Sequence, residues 1–462
     1  MKKGLFHVML ANLISMGIGL AMNFVLPALL PISTYAEIKT FGLYISYAGF
    51  FSLGYNDGMY LEYGGKTIEE LDSRKLENNI FNYFLIEIVA LILIFVIGAF
   101  LNNWLILAFA VGMFTSNIMG YLKSFYQATG NFKLYAFSVN SEKVLVFVLS
   151  VFFLACGIMR AWPYVWIQII IEVVIAIYLL FQINKSIHFS RDLSVDLSEI
   201  KTQVSAGIIL MIGNFSNGLF TGLDRWFVKY LMTTEFFAYY SYAVTMESIV
   251  NMFFSPITIT MYNYFCKDEI TDEKIRTVKK MSLMWGLFVI SIAFPAKWIL
   301  INFIPKYVES NSVVFILFAA QVFYLIIKGI YVNIFKANKK QNKYLCQIIA
   351  MIAIGAMLNG LFWLVLHTMK AFAIATLLTA FIWLLTCEVG YKNLRFSVID
   401  LVGIIIVIIS FLLFGELLSP VIGFGMYLVV CLLVSKVSWP KEFNTMIKMV
   451  IDVIHVKTRN SR

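Results

Sequence analysis

The sequence predicts an all-α polytopic membrane protein, and three observations predict it. About fourteen mostly apolar runs of roughly 17 to 28 residues fill the 462-residue chain, each long enough to cross ~30 Å of hydrocarbon as a helix. Hydrophobic residues make up 61% of the chain and charged residues 13%, with a mean hydropathy of +0.84, so little length remains for a water-soluble domain. Stretches such as 91–100 and 401–414 are continuously apolar. They lack the alternation of a barrel strand, which leaves the helix as the structure that pairs every backbone group in lipid.

The predicted spans are 5–31, 40–63, 80–101, 104–128, 135–157, 162–183, 204–230, 236–262, 278–302, 312–335, 344–366, 371–392, 398–415 and 420–436. Lys2 and Lys3 before an apolar run imitate a signal peptide, but the run to Leu30 is too long and a second span follows at once, so it reads as a retained first helix. Lysine and arginine collect in the links 64–79, 184–203, 263–276 and 336–343. The positive-inside rule therefore places these links and both termini in the cytoplasm of a multi-pass cell-membrane protein. On the other side, links such as Asn102-Asn103 and 416–419 are a few residues long and leave no room for an external catalytic domain.

Two surface elements are predicted beside the spans. Thr67-Ile68-Glu69-Glu70 matches a capping box and starts a short helix. In the tail, Phe443, Met446, Ile447, Val450, Ile451 and Ile454 fall at helical spacing, as expected of an amphipathic segment on the inner leaflet.

Several functions are excluded by what the chain does not assemble. The net charge of +10 and pI near 9.1 arise from basic residues scattered through short links, a pattern suited to anionic lipid and not to nucleic acid. Five cysteines stand far apart without a Cys-x-x-Cys pair, and His7, His188, His367 and His455 occupy four different segments. Neither set has metal-ligand or disulfide-framework spacing. Gly65-Lys66-Thr67 ends like a phosphate loop, but Tyr60 stands where glycine is required and no strand precedes it. No cofactor, metal site or catalytic centre is expected.

A weak repeat spaced by roughly 200 residues pairs Asn12 with Asn214, Phe24-Val25 with Phe227-Val228, and Phe41-Gly42-Leu43-Tyr44 with Phe237-Ala238-Tyr239-Tyr240. Chance likeness between apolar segments is the alternative. A true duplication gives two parallel six-helix lobes, 1–200 and 201–396, followed by an added helix pair and tail, 397–462.

Ionisable residues inside spans carry the sharpest signal, because each costs ~2.5–3.5 kcal/mol at a span centre on insertion scales and must face protein or a wet cavity. They are Asp57, Glu87, Glu142, Lys143, Glu172, Asp224, Arg225, Glu247, Lys328 and Glu388. So many across both halves predict a central hydrophilic cavity. Arg225, Lys328 and Lys143 are its candidate substrate-binding cations, the arginine fork being suited to diphosphate oxygens and lysine acting as a point charge. Asp57, Glu142, Glu172, Asp224 and Glu247 are candidate coupling or cavity carboxylates. For all of them, a structural ion pair or helix-to-helix hydrogen bond is the competing reading. Glu388 is expected to snorkel at the interface. Gly17, Gly19, Gly207, Gly213, Gly218 and Gly222 would let helices approach closely, and Pro27, Pro256 and Pro295 would kink their spans.

At Phe41-Gly42-Leu43-Tyr44 and the following 52–66 segment, Ser-Leu-Gly-Tyr-Asn-Asp-Gly-Met-Tyr-Leu-Glu-Tyr-Gly-Gly-Lys, the chain resembles bacterial oligosaccharide flippases of the polysaccharide transport family. That family belongs to the multidrug/oligosaccharidyl-lipid/polysaccharide exporter superfamily. Leu223-Asp224-Arg225-Trp226-Phe227-Val228 is similar to the family's seventh span, and Arg225 matches a family position. The equivalent place in the first span holds Asn23, so an anion site would be asymmetric. The resemblance implies two six-helix lobes in alternating access around a cavity, moving undecaprenyl diphosphate-linked oligosaccharide from the cytoplasmic to the outer leaflet with no bond made or broken. Beside the resemblance, the cavity reading adds energy from a Na⁺ or H⁺ gradient or from product removal outside, polymerase and glycosyltransferase partners, and sugar stacking on tyrosines such as Tyr239, Tyr240 and Tyr242. Two rivals stay open: a cation-coupled multidrug antiporter of the same superfamily, and a membrane glycosyltransferase or polysaccharide polymerase.

Overall fold

Backbone groups that cannot reach water are paired within helices throughout the computed structural model, which describes residues 17–187, 193–266, 271–448 and 451. The described residues contain no strand. The chain opens with α1 (Gly17–Leu29), α2 (Ile32–Ile45) and α3 (Tyr55–Tyr63). It continues with α4 (Ser73–Phe100), α5 (Trp104–Ala128), α6 (Phe132–Ala155), α7 (Ala161–Ile187) and α8 (Leu197–Leu231). Then come α9 (Thr234–Phe265), α10 (Asp272–Val289), α11 (Ala293–Phe303), α12 (Asn311–Ile326) and α13 (Val332–Ala337). The last are α14 (Gln341–Leu366), α15 (Met369–Gly390), α16 (Val398–Leu417) and α17 (Pro420–Ser438).

Eleven helical segments among the described residues are long and apolar enough to cross a membrane. The other three predicted spans differ for physical reasons. α1 is described only from Gly17, and the start of the first predicted span, with Asn12, lies outside the described residues. The predicted span 40–63 is broken: after α2 comes a 3₁₀ turn, Ala48–Ser52, and then Leu53 and Gly54 with φ of 51° and 81° before α3 begins. α9 is 32 residues long but carries too many polar groups for the apolar density of the others.

The chain divides into two compact units between Gly222 and Leu223. In the first, α5 packs against α4 and α7 through Tyr83, Tyr121, Phe125 and Leu179, with Tyr83 and Tyr121 stacked 4.5 Å apart. The N-terminal part of α8 crosses α3 backbone to backbone. A Cβ on Gly207 would lie 2.0 Å from the Gly54 carbonyl oxygen, and one on Gly58 would lie 2.1 Å from that of Gln203. Of the glycines singled out from sequence, Gly207 makes such a crossing, whereas Gly17, Gly19, Gly213 and Gly218 face open space.

In the second unit α12 is central and mostly apolar, as suits a helix surrounded by other helices; the segment Pro305–Ala337 is 89% buried over its most apolar window. α9, α10, α15 and α16 surround it. The final pair, α16 and α17, seats on this core by small-to-large packing. Gly415 leaves room for the Phe315 ring and Gly423 for Phe294, where a Cβ would come within 2.2 and 2.7 Å. Lipid is as apolar as these side chains, so close packing and not water exclusion holds such contacts.

Two helices are interrupted. The predicted span 278–302 passes through a 3₁₀ turn at Ile290–Ile292 just before Pro295, which has no N–H to continue the ladder. The span 312–335 contains a π turn, Ile327–Tyr331. Asn333 Nδ2 stabilises it by donating to the Gly329 carbonyl at 2.9 Å and, across to α9, to the Thr258 carbonyl at 2.8 Å. The capping box at Thr67 forms as expected, with the Thr67 N–H donating to Glu70 Oε2 at 2.9 Å. Of the predicted tail stripe, Phe443, Met446 and Ile447 lie in a helical stretch over 440–448, while Val450 and Ile454 lie outside the described residues.

Candidate functional site

Four of the charged residues read from the sequence meet in the second unit. Asp224 lies in the C-terminal turns of α8 and is 6% exposed. Its Oδ2 accepts from the Tyr240 hydroxyl of α9 at 2.6 Å and from the Thr376 hydroxyl of α15 at 3.1 Å, while Oδ1 accepts from the Arg225 N–H at 2.7 Å. Arg225 follows on the helix and points about 100° away. Among the described residues its buried Nε has no hydrogen-bond acceptor.

Glu247 stands seven residues after Tyr240 on α9, two turns along the same face. It accepts a hydrogen bond from the Gln321 amide of α12 and lies within the electrostatic reach of Asp224, Arg225 and Lys328. Lys328 sits in the π turn, with its ammonium 5.4 Å from the centre of the Tyr324 ring. A π turn carries one extra residue per turn and re-aims the side chains around it, which accounts for how Lys328 comes to face α9. Glu247 thus lies within reach of both bases, with donors supplied to Asp224 but no acceptor to Arg225 Nε.

In the first unit the charges are met differently. Glu172 accepts from the Thr115 hydroxyl at 2.9 Å and the Gln168 amide at 3.2 Å. Glu87 accepts from Asn117 Nδ2 at 2.9 Å. Glu142 pairs with Lys123, a residue the sequence reading passed over, whereas its chain neighbour Lys143 is exposed. Asp57 is half-buried in the first turn of α3, where the partial positive charge of the helix N-terminus favours an acid. Glu172, Glu87 and Glu142 thus each have a local partner, although the buried Oε1 of Glu87 accepts no hydrogen bond.

Sequence reasoning also missed two lysines and misread one acid. Lys279 is 1% exposed and binds Glu388 at 2.7 Å, the Leu394 carbonyl at 2.5 Å and the Tyr331 hydroxyl at 3.1 Å. Glu388, expected to snorkel, is therefore a buried ion-pair partner. Lys297 donates to the Gly415 and Leu418 carbonyls at 2.7 and 2.9 Å, neutralising the C-terminal end of α16. Both lysines lie inside predicted spans, and that was the available signal. The expected sugar-stacking role of Tyr240 and Tyr242 is corrected too: their exposures are 0% and 1%, with Tyr240 bound to Asp224 and Tyr242 set 5.0 Å from the Tyr307 ring.

No protein-family model matches the chain, and no curated protein matches its sequence. Solved structures do match its fold. Lipid II flippase MurJ in an inward closed conformation superposes with a TM-score of 0.68, covering 93% of this chain and 98% of that one at 14% identity. A mutant MATE protein superposes with a TM-score of 0.50, covering 85% and 96% at 13% identity. At these identities it is the fold that is shared. The chain thus shares the polytopic helical fold of these two structures.

Proposed function

We propose that this protein is a flippase that moves undecaprenyl diphosphate-linked oligosaccharide from the cytoplasmic to the outer leaflet for cell-surface polysaccharide synthesis. It works by alternating access of two six-helix lobes and makes or breaks no bond. One observation supports this above the others: the gathering of Asp224, Arg225, Glu247 and Lys328, with a buried Arg225 N–H that lacks an acceptor. Buried donors are almost always satisfied, so an unmatched guanidinium nitrogen suits a ligand oxygen. A diphosphate supplies several, and Lys328, which like Arg225 lies within reach of Glu247, adds a second cation for its charge. The likeness in fold to a lipid II flippase supports a lipid-linked substrate.

Glu247 and Asp224 then balance the charge of the cations when substrate is absent. Exchange of that internal balance for substrate contacts couples binding to the change of state. Na⁺ or H⁺ supplies the energy through the same carboxylates, and glycosyltransferases and a polymerase act before and after the transfer. The chain lies in the cytoplasmic membrane with both termini inside.

Arg225→Ala is expected to abolish glycan export at normal membrane levels, and Arg225→Lys to retain part of it. Purified protein in liposomes given defined fluorescent lipid-linked glycans should show leaflet crossing that depends on a Na⁺ or pH gradient. Transport of a cationic dye in its place would assign the protein as a drug antiporter, and glycosidic bond formation would assign it as an enzyme.

A further inference from the structure

At one end of the first unit, the start of α2, the N-termini of α5 and α7 and the link before α7 form an open-mouthed pocket of about 520 Å³. That volume lies within the ~300–1,000 Å³ range of small-molecule sites. Its wall combines three indoles, Trp104, Trp162 and Trp166, with Ser33, Glu37 and Arg160. None of these residues belongs to the charged cluster of the second unit.

The indoles border the pocket, although Trp166 also packs on the core. Trp162 and Trp166 are four residues apart on α7 and share a face, and Trp162 is 53% exposed. Trp166 is anchored from behind by Val165, Ile169 and Phe41. Trp104 opens α5 from a second direction. Ser33 and Glu37, also four apart, line up along α2. The link that carries Arg160 is fixed by two side chains: the Thr34 hydroxyl donates to the Met159 carbonyl at 2.6 Å, and the Tyr164 hydroxyl to the Ile158 carbonyl at 2.8 Å. The site is therefore built in advance of any ligand.

Its polar groups are available. Among the described residues neither Glu37 nor Arg160 is engaged in an ion pair or side-chain hydrogen bond. One acid and one base leave the cavity without net charge, which disfavours an anion or a cation and suits a neutral molecule rich in hydroxyls. Arginine donates in pairs to vicinal hydroxyl oxygens, a carboxylate accepts from hydroxyls, and ring faces cover the C–H face of a sugar. An interfacial tryptophan belt accounts for single indoles at this depth, but needs neither their convergence on one concavity nor the acid and base between them.

We propose that this cavity is a saccharide-binding site for a neutral sugar unit of an oligosaccharide. By the positive-inside assignment it lies at the outer surface, so it would receive the glycan as it emerges. That last assignment rests on the flippase reading; the binding itself does not.

The test uses full-length protein in phosphatidylcholine nanodiscs and saturation-transfer NMR titrations. The probes are trisaccharides of glucose, galactose, mannose and N-acetylglucosamine, with short-chain phosphatidylglycerol as the anionic lipid probe. At least one trisaccharide should bind saturably. Trp162→Ala and Arg160→Ala should each weaken it about tenfold, the effect of one lost ring face or charge-assisted hydrogen bond. Trp298→Ala, a 47% exposed indole on α11, should leave it unchanged. Absence of saturable binding by every trisaccharide overturns the proposal, as does equal weakening by Trp298→Ala or preferential binding of phosphatidylglycerol. Leaflet transfer that is lost in Arg225→Ala while no trisaccharide binds would sink this site alone. Saccharide binding by a protein that transfers no glycan-lipid would sink the flippase reading alone.

Discussion

Lys279 is the residue whose environment hydropathy describes least well. Its ammonium sits 3.4 Å from the centre of the Phe396 ring while bonded to Glu388, the Leu394 carbonyl and the Tyr331 hydroxyl. Removing one member of a buried pair leaves the other uncompensated, at a cost of about 3–5 kcal/mol, whereas replacing both with apolar groups is often close to neutral. Glu388→Ala is therefore expected to lower the thermal stability of the purified protein sharply, and the double variant Lys279→Met/Glu388→Met to recover much of it. Equal losses in the single and double variants would show that the pair is not the source of the effect. Arg225 is the contrasting case, because its unmatched Nε predicts a change in transport and little change in stability when it is replaced by lysine.

Elements in this chain are shaped by where backbones touch. α3 begins only after Leu53 and Gly54 turn through left-handed conformations, and the crossing with α8 leaves no room for a side chain at Gly58 or Gly207. Gly58→Ala and Gly207→Ala should each destabilise the protein by about 1–3 kcal/mol or more, since the obstructing atoms are backbone and cannot rotate away. Gly213→Ala, facing open space on the same α8, is the matched control and should be neutral or slightly stabilising. Thermal unfolding followed by size-exclusion fluorescence distinguishes the three. The π turn at Ile327–Tyr331 makes a second element-scale prediction: Asn333→Leu removes the donors to Gly329 and Thr258, so glycan transfer should fall more than stability does.

At the scale of the whole molecule, orientation is the property on which direction of transport depends. Two native cysteines report it, because Cys156 at the end of α6 and Cys346 early in α14 are both exposed and lie on opposite predicted sides. A chain retaining Cys156 alone should react with a membrane-impermeant maleimide in intact cells, and one retaining Cys346 alone only after permeabilisation. The reverse pattern would invert the assignment and place the Trp104, Trp162 and Trp166 cavity at the cytoplasmic face.

Span positions were legible in the sequence because the membrane leaves the backbone one local solution, and local composition reports it. α5 begins and ends at the predicted residues, 104 and 128, and the capping box at Thr67 forms where its four-residue pattern stands. What breaks a span was less legible. The turn at Leu53-Gly54 answers to Gly207, more than 150 residues away, and the π turn at Lys328 is held partly by a carbonyl on α9.

The sequence by itself determined that the chain is helical and where most of its membrane-crossing segments run, since both follow from the cost of polar groups in hydrocarbon. Only the tertiary structure decided the partners. It joined Asp224, Arg225, Glu247 and Lys328, gave Glu142 to Lys123 and Glu388 to Lys279, and turned Tyr240 from a cavity-lining ring into a ligand of Asp224. Pairing depends on distances between helices that are remote in sequence, and the pattern along one strand of chain contains no measure of those distances.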